Sequence, residues 1–422
     1  MHPETLCLHA GYHPENGGPS ALPIYQSTTF RYDSTAEIAA LFDLKNAGFF
    51  YTRLGNPTVD AVEQKIAALE GGVGAMCTSS GMAAAVTIAL TIGKAGDHFI
   101  CSSSVYGGTF NLMSVTFKRM GFETTFIDQN ASDEELEKAF RPNTKAVFGE
   151  TLANPALKVL DIERLAKLAH KHNIPLVVDN TFAPILCRPI EFGADIVFHS
   201  TTKYMDGHAV QMGGVIVDSG NFDWAASGNF PEFKEPDESY HGIVYSEAFG
   251  KAAFIVKARV QIMRDFGMCQ TPQGAFYINL GLETLPLRIV QHSKNALAVA
   301  KFLEKSDKIE SVNYPGLESS PDHALAQKYL KDGMCSGVLS IVLKGGREAG
   351  AKFIDSVKMA SPEVHVAEVR TCVLHPASST HRQLTDEQLV SAGIFPGTVR
   401  ISCGIENVED IIADLDQALA QL

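Results

Sequence analysis

Between about residues 60 and 220, apolar positions follow two alternating rhythms. In "VDAVEQKIAALEG" they recur at helical spacing and stop at Gly71, which predicts an amphipathic helix closed by a glycine. "HFICSS", "TTFID" and "KAVFGE" are short apolar runs of strand length. "SDEELEKAF" opens with the capping pair Ser132 and Glu135 and places Leu136 and Phe140 on one face. "DIERLAKLAHKH" predicts a helix with Ile162, Leu165, Leu168 and Ala169 inward. "PLVVDNT", "DIVFHST" and "GGVIVD" then predict three strands in close succession. Strand and helix alternating in this order imply an α/β fold, with a mostly parallel sheet covered on both faces.

Outside that segment the rhythm changes. Residues 1 to about 60 are rich in Gly, Pro, Asn and Tyr, lack sustained periodicity, and are expected to form an extended arm packed on a neighbouring subunit. Residues 221–242 form a polar, aromatic insertion or link. A long helical stretch follows residue 255, punctuated by Pro272, Gly274 and Pro286. "CSGVLSIVLKGG" and "TVRISCGIE" then predict strands of a smaller C-terminal α/β domain. The expected division is an arm over 1–60, a large domain over 61–255 and a C-terminal domain over 256–422, as a chain of 422 residues exceeds the usual span of one core.

Composition narrows the class. Hydrophobic residues make up 45% and charged residues 20%, the balance of an ordinary globular protein. A net charge of −13 gives no general attraction for nucleic acid or anionic membrane. The N-terminus lacks a secretory pattern, and the longest apolar run, Ala83 to Ile92, is too short to cross a bilayer. Eight scattered cysteines without a C-x-x-C pair favour reduced thiols, a cytoplasmic location and no metal site.

Candidate chemistry gathers where strands end. In an open parallel sheet, ligands bind beyond the carboxyl ends of the strands. Those ends carry Tyr106, then Glu150, Thr151 and Asn154, then Asp179 and Asn180, then Ser200, Thr202 and Lys203. "SSGMAA" precedes a helical run, and a helix N-terminus built from small residues suits a phosphate. Neither a Walker A sequence nor a dinucleotide fingerprint occurs. A lysine, a carboxylate, an aromatic ring and a phosphate seat together suit pyridoxal phosphate, which needs a lysine Schiff base and a carboxylate at its ring nitrogen.

The motifs "YTRLGNPT", "SSGMAA", "VYGGT", "ETLANP", "VVDNTFA", "HSTTKY" and "HPASSTH" carry a resemblance over the whole chain. It resembles the Cys/Met-metabolism family of pyridoxal-phosphate enzymes, of the aspartate-aminotransferase type known as fold type I. The resemblance implies that Lys203 binds the cofactor covalently, Asp179 pairs with its ring nitrogen and Tyr106 stacks on its ring. It places Gly81, Met82, Ser200 and Thr202 at the phosphate and Asn154 near the ring hydroxyl. Tyr51 and Arg53 are implied to reach the site from a neighbouring subunit of a homotetramer built from two active dimers. Arg400 is implied to grip the substrate α-carboxylate, as a planar fork can. Lys203 and Tyr106 are the expected proton carriers. His375 and His381, despite their composition, are expected to be structural.

Within the family, the length, the 221–242 insertion and Gly108 favour γ-replacement on O-acetylhomoserine by sulfide or methanethiol. Methionine γ-lyase and cystathionine γ-lyase or γ-synthase chemistry are the alternatives. Gly108 stands where methionine γ-lyases usually carry a cysteine. One departure is that His365-Val366-Ala367 replaces the usual Ser-Leu-Gly of the lyases, whose serine helps hold the substrate carboxylate.

Overall fold

Seven short strands build the first sheet of this computed structural model, which describes residues 1–380, 382–383, 385–391 and 394–422. They are β1 (Gly74–Thr78), β2 (His98–Ser102), β3 (Glu123–Ile127), β4 (Thr144–Glu150), β5 (Leu176–Asp179), β6 (Ile196–His199) and β7 (Gly214–Asp218), in the spatial order β1-β7-β6-β5-β4-β2-β3. β7 runs antiparallel to both neighbours and every other pair is parallel. β1 therefore points the same way as β6, and the strand ends that carry the candidate residues meet along one side of the sheet.

β2, β6 and β7 are buried at every position, which is why each reads as an unbroken apolar run. The helix Pro57–Glu70 ends at Gly71, whose φ of 80° is the left-handed conformation that a glycine adopts without strain. In the helix Ile162–Lys171 the inward residues are the four that periodicity selected, together with Ala166. Ser132 caps Asp133–Glu137 by accepting the Glu135 N–H. β1 escaped the pattern analysis, because "GAMCT" starts on a glycine, follows Gly71 and Gly72, and reads as a turn.

The N-terminal segment departs from the expected extended arm. Pro3–His9 is a helix that packs on the helices Pro57–Glu70 and Pro272–Leu303 and buries Cys7. Thr35–Phe42 is a second helix, capped by Ser34. Both are about two turns long, too short to show a period above noise. Between them the chain is irregular and largely exposed.

Pro286 does not break the long helix either. Pro272–Leu303 runs on for 32 residues, with Thr271 as its cap and Pro272 in the first turn, where no N–H is needed. Burial of Leu282, Leu285 and Ile289 around Pro286 holds the helix together across the missing N–H. The second sheet follows, from β8 (Ile309–Asn313), β9 (Val338–Leu343), β10 (Ser361–Pro362), β11 (Cys372–Leu374) and β12 (Thr398–Ser402), ordered β10-β11-β12-β9-β8. Only β10 and β11 pair in parallel. The predicted strands are the adjacent β9 and β12. Inside the 221–242 insertion, Trp224 is buried and stacks on Phe233 and Phe254. Among the described residues, no helix is long and apolar enough to cross a membrane.

Candidate active site

The ends of β4, β5 and β6 open onto a cleft of about 210 Å³. Lys203, Asp179, Tyr106, Asn154, Gly81, Met82, Ser200, Thr202 and Arg400 all line it. Tyr51 and Arg53 do not. They are exposed on the N-terminal segment, with the Arg53 guanidinium 5.2 Å from the centre of the Tyr51 ring.

Lys203 follows β6 in a tight turn closed by its N–H on the Ser200 carbonyl at 3.2 Å. Its Nζ lies 3.2 Å from Nδ1 of His365. Burial and the nearby Arg400 charge bring its pKa down to about 8. An amine so placed is unprotonated at neutral pH far more often than a free lysine.

Asp179 ends β5. Its Oδ1 accepts hydrogen bonds from the N–H and the hydroxyl of Thr181. Its Oδ2 has no hydrogen-bond donor among the described residues. Burial raises its pKa. Such a carboxylate lacks a cationic partner, and a protonated ring nitrogen would supply one. Glu150, at the end of β4, accepts the Tyr106 N–H at 2.5 Å and the Asn154 N–H at 3.2 Å. It thus anchors two loops of the cleft, a role that the strand-end reading did not assign. Burial, followed by the Asp179 charge, pushes its pKa well up. Asn180 turns away, donating to Glu70 and to the Cys187 carbonyl.

The helix Gly81–Ile92 points its N-terminus into the cleft. Ser80 caps it through the Ala83 N–H, and the N–H groups of Gly81 and Met82 precede the first intrahelical partner. Ser200 packs directly on Gly81. A β-carbon at position 81 would stand 2.7 Å from the Ser200 β-carbon. Thr202 is committed elsewhere: its hydroxyl donates to the Gly213 carbonyl and accepts the Gly213 N–H. It braces the loop after β6 while lining the cleft.

Tyr106 precedes the short helix Gly107–Asn111 and is 48% exposed beside the cleft. The ring lies against Gly108, where a β-carbon would come within 2.4 Å of it. Arg400 sits in the middle of β12, 8% exposed. It donates to the Val364 and His365 carbonyls and to Asn154 Oδ1, and its Nε is buried without a partner. Among the described residues no carboxylate lies within ion-pair distance of it. A buried guanidinium without a counter-charge is poised for an anionic ligand.

The histidines singled out in the sequence fall in different settings. His375 is buried with both ring nitrogens bonded, to Ser378 and to the Pro396 carbonyl, which suits a structural residue. His381 lies outside the described residues. His365 was visible in the sequence only as a departure, and the structure sets it against Lys203.

These residues fit pyridoxal phosphate on chemical grounds. Free helix N–H groups and the Ser200 hydroxyl suit a phosphate, the unpaired Asp179 oxygen suits a protonated ring nitrogen, and an easily deprotonated Lys203 suits an aldehyde. Residues 4–420 match the family described as Cys/Met metabolism PLP-dependent enzyme. The O-acetyl-L-homoserine sulfhydrylase of Leptospira meyeri is 46% identical, with 100% of this chain and 97% of the relative covered. The homocysteine synthase of Schizosaccharomyces pombe is 47% identical, over 99% of this chain and 98% of its own. A Campylobacter jejuni crystal structure, described as an O-acetylhomoserine (thiol)-lyase with a pyridoxyl-lysine phosphate, is 37% identical with a TM-score of 0.95 and covers 100% of both chains. The chain belongs to the Cys/Met-metabolism family of PLP-dependent enzymes and has its fold type I architecture.

Proposed function

We propose that this enzyme exchanges the acetoxy group of O-acetyl-L-homoserine for sulfide or methanethiol, giving L-homocysteine or L-methionine and acetate. The observation that carries this reading is Arg400, a buried cation without a counter-charge, in the same cleft as the unprotonated-prone Lys203. That pairing suits an α-amino acid, whose carboxylate meets the guanidinium while its α-carbon faces the amine. The names of the relatives support the choice of acyl donor and sulfur acceptor.

Pyridoxal phosphate, when bound, supplies an electron sink for the bonds at the amino acid's α-carbon. In this reading Asp179 holds the ring nitrogen, Tyr106 covers the ring, and Gly81, Met82 and Ser200 hold the phosphate. Lys203 is the covalent anchor. Once displaced by substrate it takes the α-proton and then moves a proton at the β-carbon. Tyr106 is placed to assist departure of acetate from the γ-carbon, where the C–O bond breaks and the C–S bond forms. Arg400 holds the carboxylate throughout. Tyr51 and Arg53, exposed and outside their own cleft, are assigned to a neighbouring subunit's site in a homotetramer of two active dimers. Eight free cysteines support a cytoplasmic location. The division into 1–60, 61–255 and 256–422 is kept as part of this proposal.

The test supplies the holoenzyme with O-acetylhomoserine plus sulfide, and separately with methionine alone. Homocysteine in the first tube, absent when Lys203→Ala replaces the wild type, is the expected result. Ammonia and keto acid dominating in the second would make the enzyme a lyase and end the proposal.

A further inference from the structure

His365 bridges the two cations of the cleft. Its carbonyl accepts Arg400 Nη2 at 3.3 Å, while its ring Nδ1 lies 3.2 Å from Lys203 Nζ. One residue therefore ties the substrate-gripping guanidinium to the reacting amine. The ring has nothing else to do there. Its Nε2 is buried and has no hydrogen-bond partner among the described residues. A half-satisfied ring is a poorer filler than an apolar side chain would be, so its contribution is the contact with Lys203.

Three roles fit a histidine in this place: proton relay, carboxylate ligand and positioning acceptor. Charged and titratable neighbours decide the first. Lys203 and Arg400 face His365 with positive charge, Glu368 and Asp206 with negative, and the Cys372 thiol donates to its carbonyl. Burial first, then Lys203, lowers the His365 pKa to about 4, against about 8 for Lys203. With the ring's pKa well below the lysine's, a proton on the lysine has little tendency to move to the ring, and a relay is the weakest of the three roles. A ligand role would need the free Nε2 to reach the cleft, and that atom is buried.

We propose that His365 is a positioning residue for Lys203, its neutral ring accepting a hydrogen bond at Nδ1 and fixing where the lysine nitrogen points. This rests on Lys203 acting as the proton carrier proposed above. A lysine amine on a four-carbon stem samples many rotamers. An acceptor at a fixed distance, attached through its own backbone to Arg400, holds Nζ in register with a substrate whose carboxylate Arg400 grips. The bond also favours the protonated form of the nitrogen it accepts from.

The experiment compares holoenzymes carrying His365→Phe, His365→Leu and His365→Asn. Asparagine keeps an acceptor near the place of Nδ1, and the other two remove it. The readouts are the kcat and KM for O-acetylhomoserine and the pH midpoint of the cofactor's visible absorption, which needs no turnover. Phenylalanine and leucine are expected to lower kcat by about 10- to 100-fold with KM within about twofold, as a misplaced group does. They are also expected to move the absorption midpoint to lower pH. Asparagine is expected to restore most of both. A raised KM with unchanged kcat would overturn the proposal in favour of a carboxylate ligand, and an unmoved absorption midpoint would overturn it outright. Asparagine as damaging as leucine would overturn it too. Should the wild type lack sulfhydrylase turnover, the proposed reaction fails, while the absorption midpoint still decides the role of His365.

Discussion

Gly81→Ala adds one methyl group at a tight backbone contact of the cleft. A β-carbon there would stand 2.9 Å from the Ser200 Cα and 2.7 Å from its Cβ. Ordinary carbon contacts lie at about 3.5–4.0 Å, so relief requires about 0.8 Å of separation. The obstacle is backbone, and Ser200 is pinned by its N–H on Thr181 Oγ1 at 2.8 Å and by its carbonyl on the Lys203 N–H. The shift must therefore move the helix N-terminus, or carry Lys203 with it. Overpacking costs about 1–3 kcal/mol, and alanine's helix propensity offsets up to about 1 kcal/mol of that. Stability should fall by no more than about 3 kcal/mol. Cofactor binding should suffer too, because losing one charge-assisted hydrogen bond of about 1.5–3 kcal/mol weakens the Kd by roughly tenfold to a hundredfold. Titration of the cofactor-free chain with pyridoxal phosphate, followed by absorbance, reads the Kd, and thermal unfolding reads stability. A variant that binds within twofold of wild type at unchanged turnover would refute the phosphate seat at Gly81.

Other consequences of the geometry are as direct. Arg400→Ala leaves the substrate carboxylate unpaired, at about 2–5 kcal/mol, and should raise KM at least about 30-fold; a change confined to kcat would count against the grip. The same variant removes the positive charge that helps keep Lys203 neutral, so the lysine's midpoint should rise above about 8. Labelling of Lys203 by an amine reagent in the cofactor-free chain, which increases as pH climbs through that midpoint, measures it. Gly108→Cys puts a β-carbon 2.4 Å from the Tyr106 ring, whose backbone Glu150 holds, so the ring must swing. The kcat/KM for O-acetylhomoserine should fall by about tenfold, in keeping with a misplaced catalytic group; an unchanged value would mean the ring's position is not critical.

Much of this architecture could be read from the chain itself, for physical reasons. β5 and β6 are buried apolar runs that end abruptly in polar residues, so Asp179 and Lys203 declare themselves. The helix starting at Gly81 is announced by its serine cap. What stayed hidden depends on contacts across long sequence separations. Nothing near Glu150 in sequence says that both its oxygens hold loop amides, and nothing near Thr202 says that Gly213 has taken its hydroxyl. His365 and Lys203 meet across 162 positions, a pairing that only the docking of the two sheets creates. Short strands such as β11, three residues long, escape because they are too brief to display a period.

The two sheets also impose an order of events on a growing chain. Gly81, Asp179 and Lys203 all precede residue 204, whereas Arg400 arrives with β12. On a ribosome that extends the chain N-terminus first, Gly81, Asp179 and Lys203 are made about 200 residues before Arg400. On the proposed roles, an unfinished chain has made its own groups for the coenzyme but not yet the one that seizes an amino acid. Completion of β12, one of the last elements made, then adds the group proposed to engage a substrate.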